Sequence, residues 1–481
     1  MTTSLSTRNL DSVKSVYFVA ICGTGMTALA GMLKARGFEV SGSDQNVYPP
    51  MSTFLKENSI PVHHGFDAAH LDPPPDLVVV GNAMSRGNAE VEAVLDRKLF
   101  YVSLPFALRE FFIRGKYSCV VTGTHGKTTT SSLLAWLLES AGRDPSFFIG
   151  GIPENFGKGF KLGDGKHFVL EGDEYDTAFF DKASKFLHYL PDLAIINNIE
   201  FDHADIFKNL DEIRTAFARM VNLIPRNGFL LSCWDDPLVR EVSAGAFAQV
   251  VSFGLDAEAD WRAENIQPGP DATEFDVLHK SAVFGHFSTA LYGKHMVRNC
   301  LAVIAASHIL GLTSDEIRVG LGTFKNVQRR LQFKGEVAGV KIFDDFAHHP
   351  TEVLATTEGL RDRFPEARLW AIFEPRTATS KRKIFEDKFV AALAAADRVI
   401  LTPLYAQEKV PEAERLSLDQ VCAGLKQKDV PNWVLPANDE MLAFLKANVA
   451  QGDVLLFMSN GDFNQIPDKL ISQELTVEEC K

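Results

Sequence analysis

Residues 117–142 constrain the fold of this chain more than any other segment, because a buried strand, a glycine-rich loop and a helix follow one another there. The apolar run YSCVVTG leads into the loop GTHGK, and TTTSSLLAWLLESAG then repeats apolar residues at helical spacing. Glycines between a strand and a helix expose backbone amides that can surround phosphate oxygens. The segment therefore predicts an α/β domain with a phosphate-binding loop.

The loop carries side chains suited to a nucleoside triphosphate. Lys127 would reach the outer phosphates, and Thr128 can offer its hydroxyl to Mg2+. Val121 stands where the standard GxxxxGK[ST] motif has its first glycine, so the loop is a shortened relative of that motif. The predicted nucleotide-binding residues are Gly123, Thr124, His125, Gly126, Lys127, Thr128 and Thr129. The alternative is a glycine-rich turn with an incidental lysine.

The length of 481 residues predicts about three domains, at roughly 150 residues each. A first strand, SVYFVAI, runs into a glycine-rich turn and a helix, and FEVSGSD and DLVVVGNA follow as strands. The pattern restarts at Lys116 and again near Leu331, after which VKIFDDF, RLWAIFEP, DRVILTPLY and DVLLFMS read as strands. We therefore predict an α/β protein with three domains: a Rossmann-like N-terminal domain (1–115), a central P-loop ATPase-like domain (116–331) and a Rossmann-like C-terminal domain (332–481).

Charge and composition exclude several classes of protein. The net charge of −13 disfavours a nucleic-acid partner, because phosphate binding needs clustered lysine and arginine. The N-terminus has no apolar signal region, and no run reaches the roughly 18 apolar residues of a membrane span. Six scattered cysteines without a CxxC pair indicate free thiols in a reducing compartment. We expect a cytoplasmic protein, a monomer or weak homodimer, that binds neither nucleic acid nor membrane.

Two strands of the predicted central domain end in acidic segments. HFVL is followed by Glu171 and the run GDEYD, and LAII is followed by NNIEFDHAD, which contains His203. Parallel α/β sheets bind ligands at the carboxyl ends of their strands, and Mg2+ takes one or two protein carboxylates together with phosphate oxygens. A solvated acidic turn and a hydrogen-bonded structural histidine are the alternatives. The sequence leaves the roles of Asp173 and Glu174 open.

The N-terminal turn GTGMTA, which contains Gly23, Gly25 and Met26, resembles a dinucleotide fingerprint with Ala28 in place of the third glycine. Asp44 lies about twenty residues further on, where a ribose-binding acid would stand. By itself this pattern would support an NAD-dependent dehydrogenase. Such an enzyme has no use for GTHGKT or for the acidic strand ends.

The order GTHGKTTT, acidic strand end, NxExDH is similar to the ATP-binding core of the Mur ligase family. The GxGM turn, GKHMVRN, the RR pair and DDFAHHPTE extend the resemblance over the whole chain. It implies an ATP-dependent ligase that uses Mg2+ and forms an amide bond through an acyl-phosphate on UDP-N-acetylmuramate. The implied catalytic residues are Lys127, Glu171, His203 and Arg330, with one cation held by Thr128 and Glu171 and another by His203.

The resemblance also assigns residues around the nucleotide. Asn299 is expected near adenine, Arg330 near the phosphates and Asp345 near the nucleotide ribose. A helix cap, a surface cation and an ordinary strand-end carboxylate are the respective alternatives. Met296 departs from the family pattern, because GxHNxxN has an asparagine at its position.

The remaining expected contacts are to the substrates. The turn with Gly23, Gly25, Met26 and Asp44 would hold the UDP part of the sugar nucleotide, and Ser85 and Arg86 would add contacts unless they lie in a solvated loop. His348 and Arg376 follow strands of the last domain and would bind a carboxylate of the incoming peptide, for which a planar guanidinium is well suited.

Two segments bear on the acceptor. EGDEYDTAFFDKASKFLHY and NNIEFDHADIF resemble family members that join the murein tripeptide L-alanyl-γ-D-glutamyl-meso-diaminopimelate to UDP-N-acetylmuramate. A UDP-N-acetylmuramate–L-alanine ligase is the close alternative, and a non-catalytic nucleotide sensor is an alternative of a different class. Diaminopimelate and lysine are both compatible with the third position of the peptide.

Overall fold

The computed structural model describes residues 10–256, 258–269 and 271–472. The N-terminal part contains strands β1 (Ser15–Val19), β2 (Glu39–Asp44), β3 (Val62–His64), β4 (Leu77–Val80) and β5 (Tyr101–Ser103), with helices α1 (Thr24–Ala35), α2 (Met51–Glu57), α3 (Ala89–Asp96) and α4 (Leu104–Leu108). The strands form a parallel sheet in the order β3-β2-β1-β4-β5. The strand order reverses at β1, so the turn that follows β1 opens at the switch point where such sheets bind ligands.

The central part is the largest. Its strands are β6 (Tyr117–Thr122), β7 (Ser146–Phe148), β8 (Phe160–Lys161), β9 (His167–Gly172), β10 (Asp176–Ala178), β11 (Asp181–Ser184), β12 (Leu193–Ile196), β13 (Phe229–Cys233), β14 (Gln249–Gly254), β15 (Trp261–Pro268), β16 (Thr273–His279) and β17 (Ala282–Thr289). Its helices are α5 (Lys127–Ser140), α6 (Leu210–Val221), α7 (Pro237–Ser243), α8 (Lys294–Ile309) and α9 (Ser314–Thr323). All but β10 and β11 join one sheet in the order β17-β16-β15-β14-β13-β12-β6-β9-β7-β8.

Strand β6 lies in the middle of this sheet and positions the candidate site. It pairs in parallel with β12 on one side and with β9 on the other. Residues of all three strands are almost entirely buried, as expected for parallel strands that are covered on both faces. The loops that follow β9, β6 and β12 therefore emerge side by side at one edge of the sheet.

The C-terminal part has strands β18 (Gln332–Val337), β19 (Val340–Asp345), β20 (Leu369–Phe373), β21 (Arg398–Leu401), β22 (Asn432–Val434) and β23 (Val454–Met458), and helices α10 (Pro350–Arg363), α11 (Glu386–Leu393), α12 (Leu418–Gln427), α13 (Asp439–Asn448) and α14 (Ile466–Ser472). The sheet order is β18-β19-β23-β20-β21-β22, and β18 alone is antiparallel to its neighbour. Separate apolar clusters cover the two faces of this sheet.

The predicted three-part α/β fold is confirmed, with differences in detail. The antiparallel strands β15, β16 and β17 were not predicted. No helix among the described residues is both long enough and apolar enough to cross a membrane. The outermost residues of the predicted first and last domains, 1–9 and 473–481, lie outside the described residues.

Candidate active site

The loop between β6 and α5 has a backbone that requires glycine. Gly126 caps α5 with a φ of 80°, in the left-handed region that favours glycine. A Cβ at this position would lie 3.0 Å from the side chains of both Asn197 and Asn299. Because a glycine N-cap offers no capping side chain, the backbone N–H groups in the first turn of α5 remain available to an anion.

Lys127 is the first residue of α5 and is buried within the loop. Its Nζ donates to the carbonyl oxygens of Gly123 and Thr124 at 2.7 and 3.1 Å and to Glu174 Oε2 at 2.9 Å. Burial disfavours the charged form, but the carboxylate of Glu174 outweighs burial and raises the pKa of Lys127 above its ordinary value. The lysine is therefore held as a cation at the mouth of the loop.

Thr128 and Glu171 form the first pair of oxygen ligands predicted for Mg2+. The hydroxyl of Thr128 donates to Glu171 Oε1 at 2.7 Å, and the backbone N–H of Gly150 donates to Glu171 Oε2 at 2.8 Å. Burial, reinforced by the neighbouring Asp173, raises the pKa of Glu171. The hydroxyl of Thr128 and the carboxylate of Glu171 are hard oxygen ligands, which fit a divalent cation such as Mg2+. Such a cation would also offset the cost of a buried negative charge on Glu171.

Glu174 links the loop to His203. Its carboxylate is 1% exposed, and Oε1 accepts no hydrogen bond although His203 Nε2 lies only 3.3 Å away. His203 has a φ of 50° and follows β12, and Glu174 raises its pKa against the effect of burial. The structure thus places Glu174 between His203 and Lys127. The buried carboxylate oxygen and the imidazole nitrogen beside it are two ligand atoms that fit a second cation.

A cavity of about 510 Å3 opens beside the loop. Its lining includes the three residues that the resemblance assigned to the nucleotide, namely Asn299, Arg330 and Asp345, together with Met296. Asn299 donates to the sulfur of Met296 at 3.7 Å, so the methionine occupies part of the polar environment of this amide.

Arg330 and Asp345 join this cavity to the loop and to the C-terminal sheet. Arg330 Nη2 lies 3.4 Å from the hydroxyl of Thr128, which puts the guanidinium next to the first predicted cation site. Asp345 accepts from the backbone N–H groups of Leu331 and Ala347 at 2.6 and 2.7 Å. Burial raises the pKa of Asp345 to about 6 despite these bonds.

His125 connects the loop to the C-terminal domain. Its Nε2 lies 3.2 Å from Glu200 Oε2, and its Nδ1 lies 3.2 Å from Glu352 Oε1 at the start of α10. Burial lowers the pKa of His125, but the two carboxylates outweigh burial and raise it to about 9. With His349 Nδ1 at 3.3 Å from Glu200, the group His125, Glu200 and His349 has the spacing of an empty cation site. Because His125 also contacts Glu352 at the start of α10, we interpret the group as part of an ion-pair bridge between the central and C-terminal domains.

His348 and Arg376, predicted to bind the peptide, have partners within the chain. His348 Nδ1 lies 3.5 Å from Glu352 Oε2, and its Nε2 lies 3.8 Å from Asp202 Oδ2. The guanidinium of Arg376 stacks over the ring of Tyr405, with 3.9 Å from Cζ to the ring centroid, and lies 3.5 Å from Glu374. His348 therefore belongs to the bridge between domains, and the structure does not bring it into contact with Arg376.

A second cavity, of about 390 Å3, covers the N-terminal glycine turn. Gly23, Gly25, Met26 and Asp44, the residues expected to hold the UDP part of the substrate, all line it. The carboxylate of Asp44 accepts from the backbone N–H groups of Cys22 and Asn46, each at 2.9 Å, and so fixes the turn.

Ser85 and Arg86 are not among the described residues that line this cavity. Arg86 is 68% exposed and forms a two-pronged ion pair with Glu92, with both bonds at 2.9 Å. The predicted contacts of this loop with the sugar nucleotide are therefore absent from the lining, and the solvated-loop alternative describes its position better.

Three acidic residues at the site were not assigned a role from the sequence. All three pair with a basic residue of the phosphate loop, Glu174 with Lys127, and Glu200 and Glu352 with His125. Glu174 had a signal, since it belongs to the acidic run EGDE at the end of a predicted strand. Glu352 had none, because its position in HHPTE reads as an ordinary acid in a first helical turn.

The matches to known protein families divide the chain into the same three parts. The profile described as "Mur ligase family, catalytic domain" matches residues 15–116, "Mur ligase middle domain" matches residues 121–307, and "Mur ligase, glutamate ligase domain" matches residues 329–461. The three matches are consecutive and together span most of the chain.

Individual relatives match along almost their whole length. The UDP-N-acetylmuramate–L-alanyl-γ-D-glutamyl-meso-2,6-diaminoheptandioate ligase of Haemophilus influenzae is 42% identical over 464 residues, which cover 96% of this chain and 99% of that protein. A UDP-N-acetylmuramate–L-alanine ligase of Anaeromyxobacter is 34% identical, with 95% of this chain and 97% of that protein covered. The crystal structure of a murein peptide ligase from Psychrobacter arcticus has 34% identity and a TM-score of 0.71, covering 97% of this chain and all of that one. The phosphate loop, the acidic strand ends and these full-length similarities together show that the chain belongs to the Mur ligase family, whose members are ATP-dependent amide-forming ligases.

Proposed function

We propose that this protein joins the tripeptide L-alanyl-γ-D-glutamyl-meso-diaminopimelate to UDP-N-acetylmuramate, in an ATP-dependent reaction through an acyl-phosphate intermediate. Such a reaction reuses murein peptides, and we propose that it takes place in the cytoplasm. One observation carries the proposal: Lys127, Thr128 and Glu171 share the sheet edge between a nucleotide-sized cavity and the cavity over the N-terminal glycine turn.

The proposal divides the chain by substrate. We propose that residues 1–115 bind the UDP-sugar, residues 116–331 bind ATP and residues 332–481 bind the peptide. Arg330 and Asp345 belong to different proposed domains yet line the same nucleotide cavity. ATP binding would therefore bring the last domain against the central one, as expected where two substrates must meet at one carboxylate.

The residues at the loop suit phosphoryl transfer. Backbone N–H groups of Gly126 to Thr129 would surround the phosphates, and the ammonium of Lys127 would exchange Glu174 for an oxygen of the γ-phosphate. Arg330, next to Thr128, would hold the same phosphate from the other side. Thr128 with Glu171, and Glu174 with His203, would hold two Mg2+ ions, which neutralise negative charge while an anionic carboxylate approaches an anionic phosphate.

The same residues serve the second half of the reaction. The substrate carboxylate attacks the γ-phosphate and ADP leaves; the amine of the peptide then attacks the acyl-phosphate and phosphate leaves. The tetrahedral intermediate of this second step carries a negative oxygen, which a fixed cation such as Lys127 or Arg330 stabilises. We propose Arg376 as the residue that binds a peptide carboxylate, with Asn299 near adenine and Asp345 near ribose.

The choice of acceptor rests on similarity. The relative named for the tripeptide-type acceptor is 42% identical to this chain, and the relative named for L-alanine is 34% identical. The segment from Glu171 to Tyr189, which resembles the tripeptide-using members of the family, contains the strand pair β10–β11 and the short helix Lys185–His188. We propose meso-diaminopimelate at the third peptide position.

Product analysis tests this function. The enzyme is incubated with ATP, Mg2+ and UDP-N-acetylmuramate, with the tripeptide or L-alanine as acceptor, and the products are identified by mass spectrometry. We expect UDP-N-acetylmuramoyl-tripeptide and one ADP for each amide bond. Formation of UDP-N-acetylmuramoyl-L-alanine alone would replace the proposal by the amino-acid ligase, and ATP binding without any ADP formation would replace it by a nucleotide sensor.

A further inference from the structure

The cavity over the N-terminal glycine turn receives a side chain from the central domain. Besides residues that follow strands β1, β2, β4 and β5 of the N-terminal sheet, its lining contains Thr177 and Lys185. Lys185 is the one formal cation among the described residues that line it, and Asp44 is the one formal anion. The carboxylate of Asp44 is already satisfied by two backbone N–H groups. The cavity is therefore electrostatically incomplete for an anionic ligand unless Lys185 takes part.

Lys185 is held in place on three sides. Its Nζ lies 3.0 Å from Asp173 Oδ2 and 4.0 Å from the ring centroid of Tyr175, and its side chain is only 18% exposed. Its backbone N–H donates to the carbonyl oxygen of Tyr175 at 3.1 Å, and the N–H of Phe186 donates to that of Asp173 at 3.2 Å. A lysine normally loses much rotamer entropy when it is fixed, so this positioning lowers the cost of binding an anion.

The partner of Lys185 belongs to the acidic strand end. Asp173 stands between Glu171, which meets Thr128, and Glu174, which meets Lys127. Asp173 in turn holds the ammonium of Lys185 at 3.0 Å. Lys185 thus lies where the sugar-nucleotide cavity adjoins the phosphate loop.

We propose that Lys185 binds an anionic group of the UDP-sugar, and so completes the N-terminal substrate site from the central domain. This inference rests on the proposed function, which supplies a UDP-sugar with a diphosphate and a carboxylate. The backbone turn at Gly23 and the N-terminus of α1 provide only partial positive charge to such a ligand. Lys185 adds the full charge and ties ligand binding to the position of Asp173.

A direct binding measurement with two ligands tests the inference. Lys185→Met keeps the stem that covers Tyr175 and removes the charge. Lys182→Met is the matched control, since Lys182 also pairs with an aspartate, Asp176, but is 68% exposed and does not line the cavity. Calorimetry measures the Kd of UDP-N-acetylmuramate and of UDP-N-acetylglucosamine, which has the diphosphate without the carboxylate.

We expect Lys185→Met to weaken UDP-N-acetylmuramate binding by about tenfold or more, the range of a charge-assisted contact, and Lys182→Met to change it less than about twofold. Weakening of both ligands would assign the diphosphate as the bound group, and weakening of the muramate alone would assign the carboxylate. Equal affinity of wild type and Lys185→Met for both ligands would overturn the inference.

Two further measurements distinguish a failure of this inference from a loss of folding and from a failure of the proposed function. The Kd of ATP should be the same in wild type and Lys185→Met, because Lys185 does not line the nucleotide cavity. If the unpaired Asp173 prevents folding, Asp173→Asn with Lys185→Met removes both charges and is measured in the same way. A wild-type protein that fails to bind UDP-N-acetylmuramate would refute the proposed function itself, whereas normal binding by both wild type and the Lys185 variants would refute only the role of Lys185.

Discussion

The ion pair between Lys127 and Glu174 predicts that stability and turnover respond differently to the same substitutions. Lys127→Met keeps the aliphatic stem of the lysine and removes its charge. Glu174→Gln removes the opposite charge with little change of shape. Both side chains are buried, with 10% and 1% exposed, so neither charge is solvated when its partner is lost.

The expected free energies follow from the contacts. Removing one partner of a buried ion pair costs about 3–5 kcal/mol. We expect about 3 kcal/mol for Lys127→Met, because His203 remains 3.3 Å from the carboxylate. Glu174→Gln should cost about 1–2 kcal/mol, because the carbonyl oxygens of Gly123 and Thr124 still accept from the ammonium. The double variant, Lys127→Met with Glu174→Gln, leaves neither charge unpaired. Its loss of folding free energy should therefore be about 2 kcal/mol smaller than the sum of the losses of the two single variants.

Urea unfolding followed by tryptophan fluorescence measures the three free energies, and ADP release measures turnover. Lys127→Met should lower kcat by at least about 100-fold. Adding Glu174→Gln should cost no further stability and should restore no turnover, because the phosphate contact of the lysine is still missing. Strictly additive free energies would refute the ion-pair reasoning, and near-normal turnover of Lys127→Met would refute the assignment of the phosphate loop.

Three further predictions concern the cations and the bridge between domains. Glu171→Gln and His203→Asn should each raise the Mg2+ concentration for half-maximal ADP release by at least about tenfold, and unchanged curves for both would count against two cation sites. Glu352 and Glu200 raise the pKa of His125 to about 9 from an ordinary 6.5, so its stabilising effect should be complete below about pH 6.5 and lost as the pH rises through 9. The stability difference between wild type and His125→Gln in urea should shrink over that window, and a constant difference would contradict the bridge. Glu352→Gln should loosen the docking of the C-terminal domain and increase the radius of gyration in X-ray scattering, whereas a radius equal to wild type would argue that the carboxylate does not hold the domains together.

Local sequence patterns predicted the elements that carry the nucleotide site. The loop before Lys127 lies between an apolar strand and a helix. The strand, the glycine turn and the helix are all specified by one stretch of about 25 residues, of which helix α5 takes 14. The acidic strand ends were predictable for the same reason, since parallel strands deliver their following loops to one edge. The strands β15 to β17 were missed because they are partly exposed and lack the continuous apolar runs that mark the buried strands.

Contacts between domains could not be predicted. Glu352 contacts His125 only because the fold brings the start of α10, after β19, to the phosphate loop. The sequence around either residue does not indicate that the two are in contact. For Arg86, the sequence suggested a contact that the structure does not show. Its place after a predicted strand suggested a ligand contact, but Glu92, six residues further on, is close enough to bind its guanidinium.

Acceptor preference tests the central claim most directly. The steady-state rate of ADP release is measured with saturating ATP, Mg2+ and UDP-N-acetylmuramate, and with either L-alanyl-γ-D-glutamyl-meso-diaminopimelate or L-alanine as the varied substrate. We predict that kcat/KM for the tripeptide exceeds that for L-alanine by at least about tenfold, which corresponds to about 1.4 kcal/mol of transition-state preference. Equal or higher kcat/KM for L-alanine would contradict the tripeptide assignment.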